Sequence, residues 1–113
     1  MSTQAAFDTA FREHQSGNLQ QAETLYRQVL AEHPNHPDAL HLLGVIAYQS
    51  GQHEQSAELI QRAIVFNPRT PEYHRNLGLT LAALRRFDRQ GFHGTHPMYR
   101  FHQHRLALAF RRV

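Results

Sequence analysis

Histidines are the residues of this sequence with the most evident chemical potential. Four of them lie in the stretch GFHGTHPMYRFHQH, residues 91–104. The spacings between His93 and His96 and between His102 and His104 can present pairs of imidazoles to one zinc ion. However, this end of the chain holds no cysteine and no acidic residue to complete or orient such a set, and histidine is frequent throughout, with ten residues in all. We therefore expect no metal site and no cofactor.

The same end of the chain is strongly basic. Residues 89–113 contain five arginines and no acid, a net charge of +5, whereas residues 1–88 contain seven arginines and nine acidic residues, a net charge of −2. Phenylalanine and tyrosine alternate with the arginines of the tail, and such groups bind the phosphates and bases of single strands. A basic tail without a nucleic-acid partner is the preferred interpretation. An RNA-binding adaptor that acts through this tail stays open as an alternative.

The rest of the sequence lacks the arrangements on which catalysis usually depends. It contains no glycine-rich phosphate loop, no nucleophile elbow and no convergent pair of carboxylates. No stretch approaches the roughly 18 apolar residues of a membrane span, and the first residues do not have the pattern of a signal peptide. A chain of 113 residues without cysteine is expected to form one domain. We therefore expect a cytoplasmic protein that is not an enzyme and does not bind a membrane.

The regular part of the chain repeats with a period of 34 residues. Apolar residues recur with helical spacing along two segments of each repeat, and these segments are separated by a glycine and closed by a proline. The clearest equivalent residues at this offset are Gly17 and Gly51, Pro34 and Pro68, Leu43 and Leu77, and the series Ala10, Gly44 and Gly78. The pattern predicts stacked helix–turn–helix units, with small residues where helices cross and glycines at positive φ where helices end.

The combination of this period, the LG pairs in HLLGVIAY and NLGLTL, the glycine before each second helix and the closing proline resembles the tetratricopeptide repeat family. The resemblance covers roughly residues 3–88. It implies an all-α fold, a short right-handed α-solenoid with repeats at residues 3–36 and 37–70, a partial repeat at 71–88 and an irregular basic tail at 89–113. It also implies a protein–protein interaction scaffold whose partner is an unidentified protein or peptide.

The third repeat is predicted to stop after its first helix, at residues 71–84. Arg85 stands where the family has its turn glycine, and the register places the next second helix at about residues 87–101. Two glycines and a proline fall inside that helix: Gly91, Gly94 and Pro97. They cost about 5 kcal/mol in a helix interior, against a total stability of roughly 5–15 kcal/mol. The exposed apolar face of the first helix would then be covered by the tail, by self-association with a second copy or by a partner.

The abrupt change of composition after Asp88 has two further explanations. A shifted reading frame, or a truncated copy of a longer repeat protein, would account together for the break in register and the missing acids. In the second case the chain would be the regulatory N-terminal region of a repeat-bearing enzyme, such as a glycosyltransferase that resembles the O-linked N-acetylglucosamine transferases. The coding sequence downstream of Asp88 distinguishes these explanations from a native tail.

The resemblance also implies a binding site, because the first helices of tetratricopeptide repeats line a concave groove. Carried over residue by residue, this face comprises Phe7, Phe11, His14, His41, Leu42, Val45, Tyr48, Glu72, Arg75 and Asn76, with Asp8, Asp38 and Leu79 beside them. Aromatic, aliphatic and imidazole side chains stand where some family members clamp a terminal carboxylate. Asn76 resembles the backbone-gripping asparagines of the transferases. We expect an extended or helical segment to lie in an apolar and aromatic groove, held by side-chain pockets.

Overall fold

The computed structural model describes residues 2–89, and the side chains of residues 2–86. Five helices and no strand make up this part of the chain: α1 Thr3–Gln15, α2 Leu19–Glu32, α3 Pro37–Gln49, α4 His53–Phe66 and α5 Pro71–Arg89. The all-α fold predicted from the periodicity is confirmed. Each helix packs on the next one along the chain. This order fits a solenoid of helical pairs, and its right-handed sense stays a prediction.

The turn inside each of the first two repeats is built on a glycine. Gly17 and Gly51 have φ angles of 85° and 84°, in the left-handed region that costs a residue with a Cβ roughly 1–2 kcal/mol. The N–H of the following residue, Asn18 or Gln52, donates to the carbonyl five residues earlier, at 2.9 Å and 2.8 Å. These bonds are those of the Schellman motif that closes a helix. The pairs α1–α2 and α3–α4 are therefore two copies of one unit.

The start of α3 is fixed by local signals in the sequence. His36 caps the helix, because its Nδ1 accepts from the N–H of Ala39 at 3.1 Å. Pro37 follows in the first turn, where a missing N–H costs little because that group has no partner within the helix. Helix α5 also begins at a proline. These local signals decide where α3 and α5 begin.

Small residues allow the helices of each pair to cross closely. A Cβ added to Gly44 of α3 would lie 2.8 Å from Cγ1 of Ile60 and 3.2 Å from the carbonyl oxygen of Ser56, both in α4. In the first pair, Ala10 and Ala22 are fully buried. Large aliphatic and tyrosine side chains fill the space around these crossings and form one continuous core.

The third repeat differs from its predicted form, because α5 does not end where the turn was expected. The helix continues to Arg89. Arg85 occupies the position equivalent to Gly17 and Gly51, and in the described part of the chain no residue other than glycine has a positive φ. A chain without a residue that adopts the left-handed conformation at low cost continues as helix. The helix end predicted at residue 84 is therefore wrong. The predicted failure of a second helix over residues 87–101 falls mostly on residues outside the described part of the chain.

Candidate functional site

The first helices of the three repeats line a groove of about 320 Å³. Of the described residues, none from α2 or α4 contributes to it. Three residues come from α1, four from α3 and three from α5: Phe11, His14, Gln15, His41, Leu42, Val45, Gln49, Glu72, Arg75 and Asn76. Several are equivalent at the 34-residue offset, such as Phe11 and Val45 or Leu42 and Asn76. The groove is thus lined by equivalent faces of the three first helices, α1, α3 and α5.

The groove brings together eight of the ten residues predicted for it, and two lie elsewhere. Phe7 packs under the turn between α2 and α3, with its ring centroid 5.9 Å from that of Tyr26 and 5.1 Å from that of His36. Tyr48 is buried at the other end of α3, where the start of α4 places His53 edge-on at 4.3 Å. Both residues lie beside a turn that covers them. That the other eight contact a partner stays a prediction.

Two groove residues were not predicted, Gln15 and Gln49. They are equivalent at the 34-residue offset, and each follows a predicted groove residue, Phe11 or Val45, by four positions. Residues four apart share a helix face, so the sequence holds the signal that places them. Gln49 is only 5% exposed, and its amide forms part of the floor of the groove.

Hydrogen bonds between successive first helices form this floor. Nε2 of His14 in α1 lies 2.9 Å from Oε1 of Gln49 in α3. Nδ2 of Asn76 in α5 lies 2.7 Å from Nε2 of His41 in α3. Each contact spans 35 residues, one more than the repeat. These contacts tie α1 to α3 and α3 to α5, and they fix how far apart the walls of the groove stand.

The floor carries little charge. Burial lowers the pKa of His41 to about 4, and the nearby carboxylate of Asp38 opposes this effect only in part, so that His41 is neutral at pH 7. The hydroxyl of Tyr73 donates to Asp38, and its ring centroid lies 4.5 Å from that of His41. Burial and this hydrogen bond raise the pKa of Tyr73. The groups beneath the groove are therefore suited to hydrogen bonding rather than to proton transfer at neutral pH.

The open side of the groove combines apolar surface with a polar rim. Phe11 is 41% exposed, and Leu42 and Val45 continue the apolar surface along α3. At the rim, Arg75 and Glu72 lie 4.0 Å apart with both side chains more than half exposed, so that their ion pair contributes little stability. An apolar centre with a polar rim is the usual anatomy of a protein interface.

Stacked helical pairs with a groove along their first helices define a helical-repeat scaffold. A family model described as tetratricopeptide repeat matches residues 13–79, more than half of the chain, and the chain belongs to the tetratricopeptide repeat family. Repeats of this family are in general protein–protein interaction modules. No curated protein matches the chain. In the part of the chain that the structure describes, each helix is too short or too polar to cross a membrane.

The predictions for the end of the chain fall on residues that the structure does not describe. The histidines of the zinc hypothesis and nearly all of the basic and aromatic residues of the RNA alternative lie within residues 90–113. The reading-frame and enzyme-fragment explanations concern the same segment and the coding sequence beyond it. The described residues test none of these four hypotheses, and the expectations of no metal site and no nucleic-acid partner stay predictions. Within residues 2–89, histidine, aspartate and glutamate form no cluster of three that could hold a metal.

Proposed function

We propose that the chain is an interaction scaffold, without catalysis of its own, that binds an extended or helical peptide segment in the groove along α1, α3 and α5. The observation that carries the proposal is the exposed ring of Phe11 at the groove, beside Leu42 and Val45. Aromatic side chains in such positions are the usual anchors of protein interfaces. Because the floor of the groove carries little charge, we expect the partner to offer apolar side chains and main-chain amides. The proposal keeps the cytoplasmic location expected from the sequence.

Replacing Phe11 with alanine is expected to weaken peptide binding about thirtyfold. Truncation of an aromatic anchor typically removes about 2 kcal/mol of binding free energy, which corresponds to this factor. The probe is a dodecapeptide selected against the full chain from a random phage-displayed library, and its affinity is measured by isothermal titration calorimetry. Because Phe11 is partly exposed, the circular dichroism of the variant should match that of the wild type.

Phe66→Ala is the matched control for this experiment. Phe66 is 45% exposed, close to the 41% of Phe11, and it lies at the end of α4, outside the groove. The control should bind the peptide as the wild type does. Equal losses in the two variants, no loss in either, or a library that yields no peptide would contradict the proposal.

We propose a second interaction, in which two copies of the chain associate through the exposed face of α5 around Leu81. This face carries Leu81 and Gly78, the equivalents of Ala47 and Gly44. The two α3 residues are buried, whereas Leu81 is 44% exposed and a Cβ added to Gly78 would meet nothing within 4 Å. A second copy offers the same open glycine and the same leucine, so that a two-fold axis would bring two α5 helices into close contact. Burial of this apolar surface supports the proposal.

Replacing Leu81 with glutamate is expected to convert a concentration-dependent dimer into a monomer, because the charge would be desolvated between the two α5 helices. Static light scattering across a dilution series measures the mass. Val65→Glu is the control, since Val65 is 72% exposed on α4, and it should leave the dimer intact. A wild-type chain that is monomeric at every concentration, or a dimer that survives Leu81→Glu, would refute this association.

A further inference from the structure

Two side-chain amides on the floor of the groove are each held at one end by a histidine of the preceding repeat. His14 contacts the carbonyl oxygen of Gln49, and His41 contacts the NH₂ group of Asn76. Gln49 and Asn76 are 5% and 7% exposed, so these contacts determine how each amide is oriented. Within the described residues, the other end of each amide has no hydrogen-bond partner, and both residues line the groove.

The two histidines hold their amides with opposite polarity. The hydroxyl of Tyr26 lies 3.4 Å from Nδ1 of His14 and can donate to it. Because Oε1 of Gln49 can only accept, Nε2 of His14 carries a proton and donates to it. Nε2 of His41, by contrast, accepts from Asn76, and its proton must lie on Nδ1. Gln49 therefore turns its NH₂ group toward the groove, whereas Asn76 turns its carbonyl oxygen toward it.

We infer that His14 and His41 are positioning residues that fix Gln49 and Asn76 in these opposite orientations, so that the groove offers one donor and one acceptor to the main chain of an extended peptide. Each residue of an extended chain offers a main-chain N–H and a C=O, and the exposed ends of the two amides are an acceptor and a donor for such groups at separate points along the peptide. The inference rests on the proposed function. It specifies that the groove recognises an uncharged main-chain unit rather than a terminal carboxylate.

The first test needs no peptide. Long-range ¹H–¹⁵N NMR of the full chain at neutral pH distinguishes the two tautomers of each histidine. We expect His14 to carry its proton on Nε2 and His41 on Nδ1. The same tautomer at both residues would overturn the inference whether or not the groove binds a peptide, so that its failure is distinguishable from that of the proposed function.

The second test measures how His41 acts on main-chain recognition. The probes are the selected dodecapeptide and analogues of it with one backbone nitrogen methylated at each position in turn. In the wild type, methylation of the N–H that meets Asn76 is expected to weaken binding about tenfold, the loss of one good hydrogen bond. In His41→Leu the same methylation should weaken binding by less than about threefold, because the amide of Asn76 is then free to rotate.

His41→Gln is the conservative variant, because its Oε1 can also accept from Asn76, and it should restore most of the tenfold difference. His33→Leu, at an exposed position in the turn between α2 and α3, should bind all probes as the wild type does. A merely structural role of His41 would weaken the peptide and its analogues by the same factor. An unchanged ratio in His41→Leu, or no sensitive methylation position in the wild type, would overturn the inference.

Discussion

Replacing Gly44 with alanine will destabilise the chain, whereas the same replacement at Gly78, one repeat later, will stabilise it. The new methyl at residue 44 would lie 2.8 Å from a side-chain carbon of Ile60 and 3.2 Å from the backbone oxygen of Ser56. Because the backbone of α4 cannot move aside as a flexible side chain would, the overpacking should cost about 1–3 kcal/mol. The better helix propensity of alanine offsets about 1 kcal/mol of this.

Gly78 is the matched position, since it has the same register on α5 and an added Cβ meets nothing within 4 Å. Alanine there gains helix propensity alone, about 1 kcal/mol. For a domain of this size the two variants should differ in melting temperature by about 10 °C, measured by circular dichroism in dilute solution where α5 is not in contact with another copy. Equal shifts, or a stabilised Gly44→Ala, would show that α3 and α4 do not cross as closely as described.

Acid is expected to destabilise the chain through His41 in particular. Burial lowers the pKa of this residue from 6.5 to about 4. Asp38 on the same helix raises the pKa of His41, whereas His14 on α1 and Arg75 on α5 lower it further. The ring of Tyr73 packs against it without charge. The unfolded chain takes up a proton near pH 6.5 and the native chain only near pH 4. The stability that the neutral ring contributes is therefore complete above pH 6.5 and falls as the pH drops to about 4. The loss amounts to about 3 kcal/mol.

His41→Gln should remove this part of the pH dependence. Urea denaturation at pH 7.5, 5.5 and 4 measures the free energy of unfolding of the wild type, the variant and the control His33→Gln. The difference between wild type and His41→Gln should shrink toward acid pH by about 3 kcal/mol, while the control follows the wild type. Parallel curves for all three proteins would mean that His41 is not held neutral by its surroundings.

The candidate site shows where prediction from the sequence succeeds. Phe11, His14 and Asn76 can be placed on one face because helix periodicity and the 34-residue offset relate them without knowledge of any contact. Gln15 and Gln49 follow from the same rule. Phe7 and Tyr48 satisfy the rule as well, yet Phe7 is half-buried and Tyr48 is buried, because periodicity does not show which end of a helix a neighbouring turn will cover.

The sequence by itself determined the repeat, its helices and its two internal turns, since these depend on local chemistry. Gly17 and Gly51 are the residues that can adopt a left-handed φ at low cost, and the spacing of apolar residues defines the helices between the turns. Arg85 departs from that pattern in the sequence as well. Helix α5 accordingly continues through Arg85 to Arg89.

Only the tertiary structure decided which groups meet across repeats. Two hydrogen bonds join residues 35 positions apart, one between His14 and Gln49 and one between His41 and Asn76. No local rule predicts which end of an amide an imidazole nitrogen will contact. The neutral state of His41 and the unequal surroundings of Gly44 and Gly78 likewise depend on whether a neighbouring helix removes water from that face. Helix formation is local, whereas burial and hydrogen-bond polarity arise from contacts between elements.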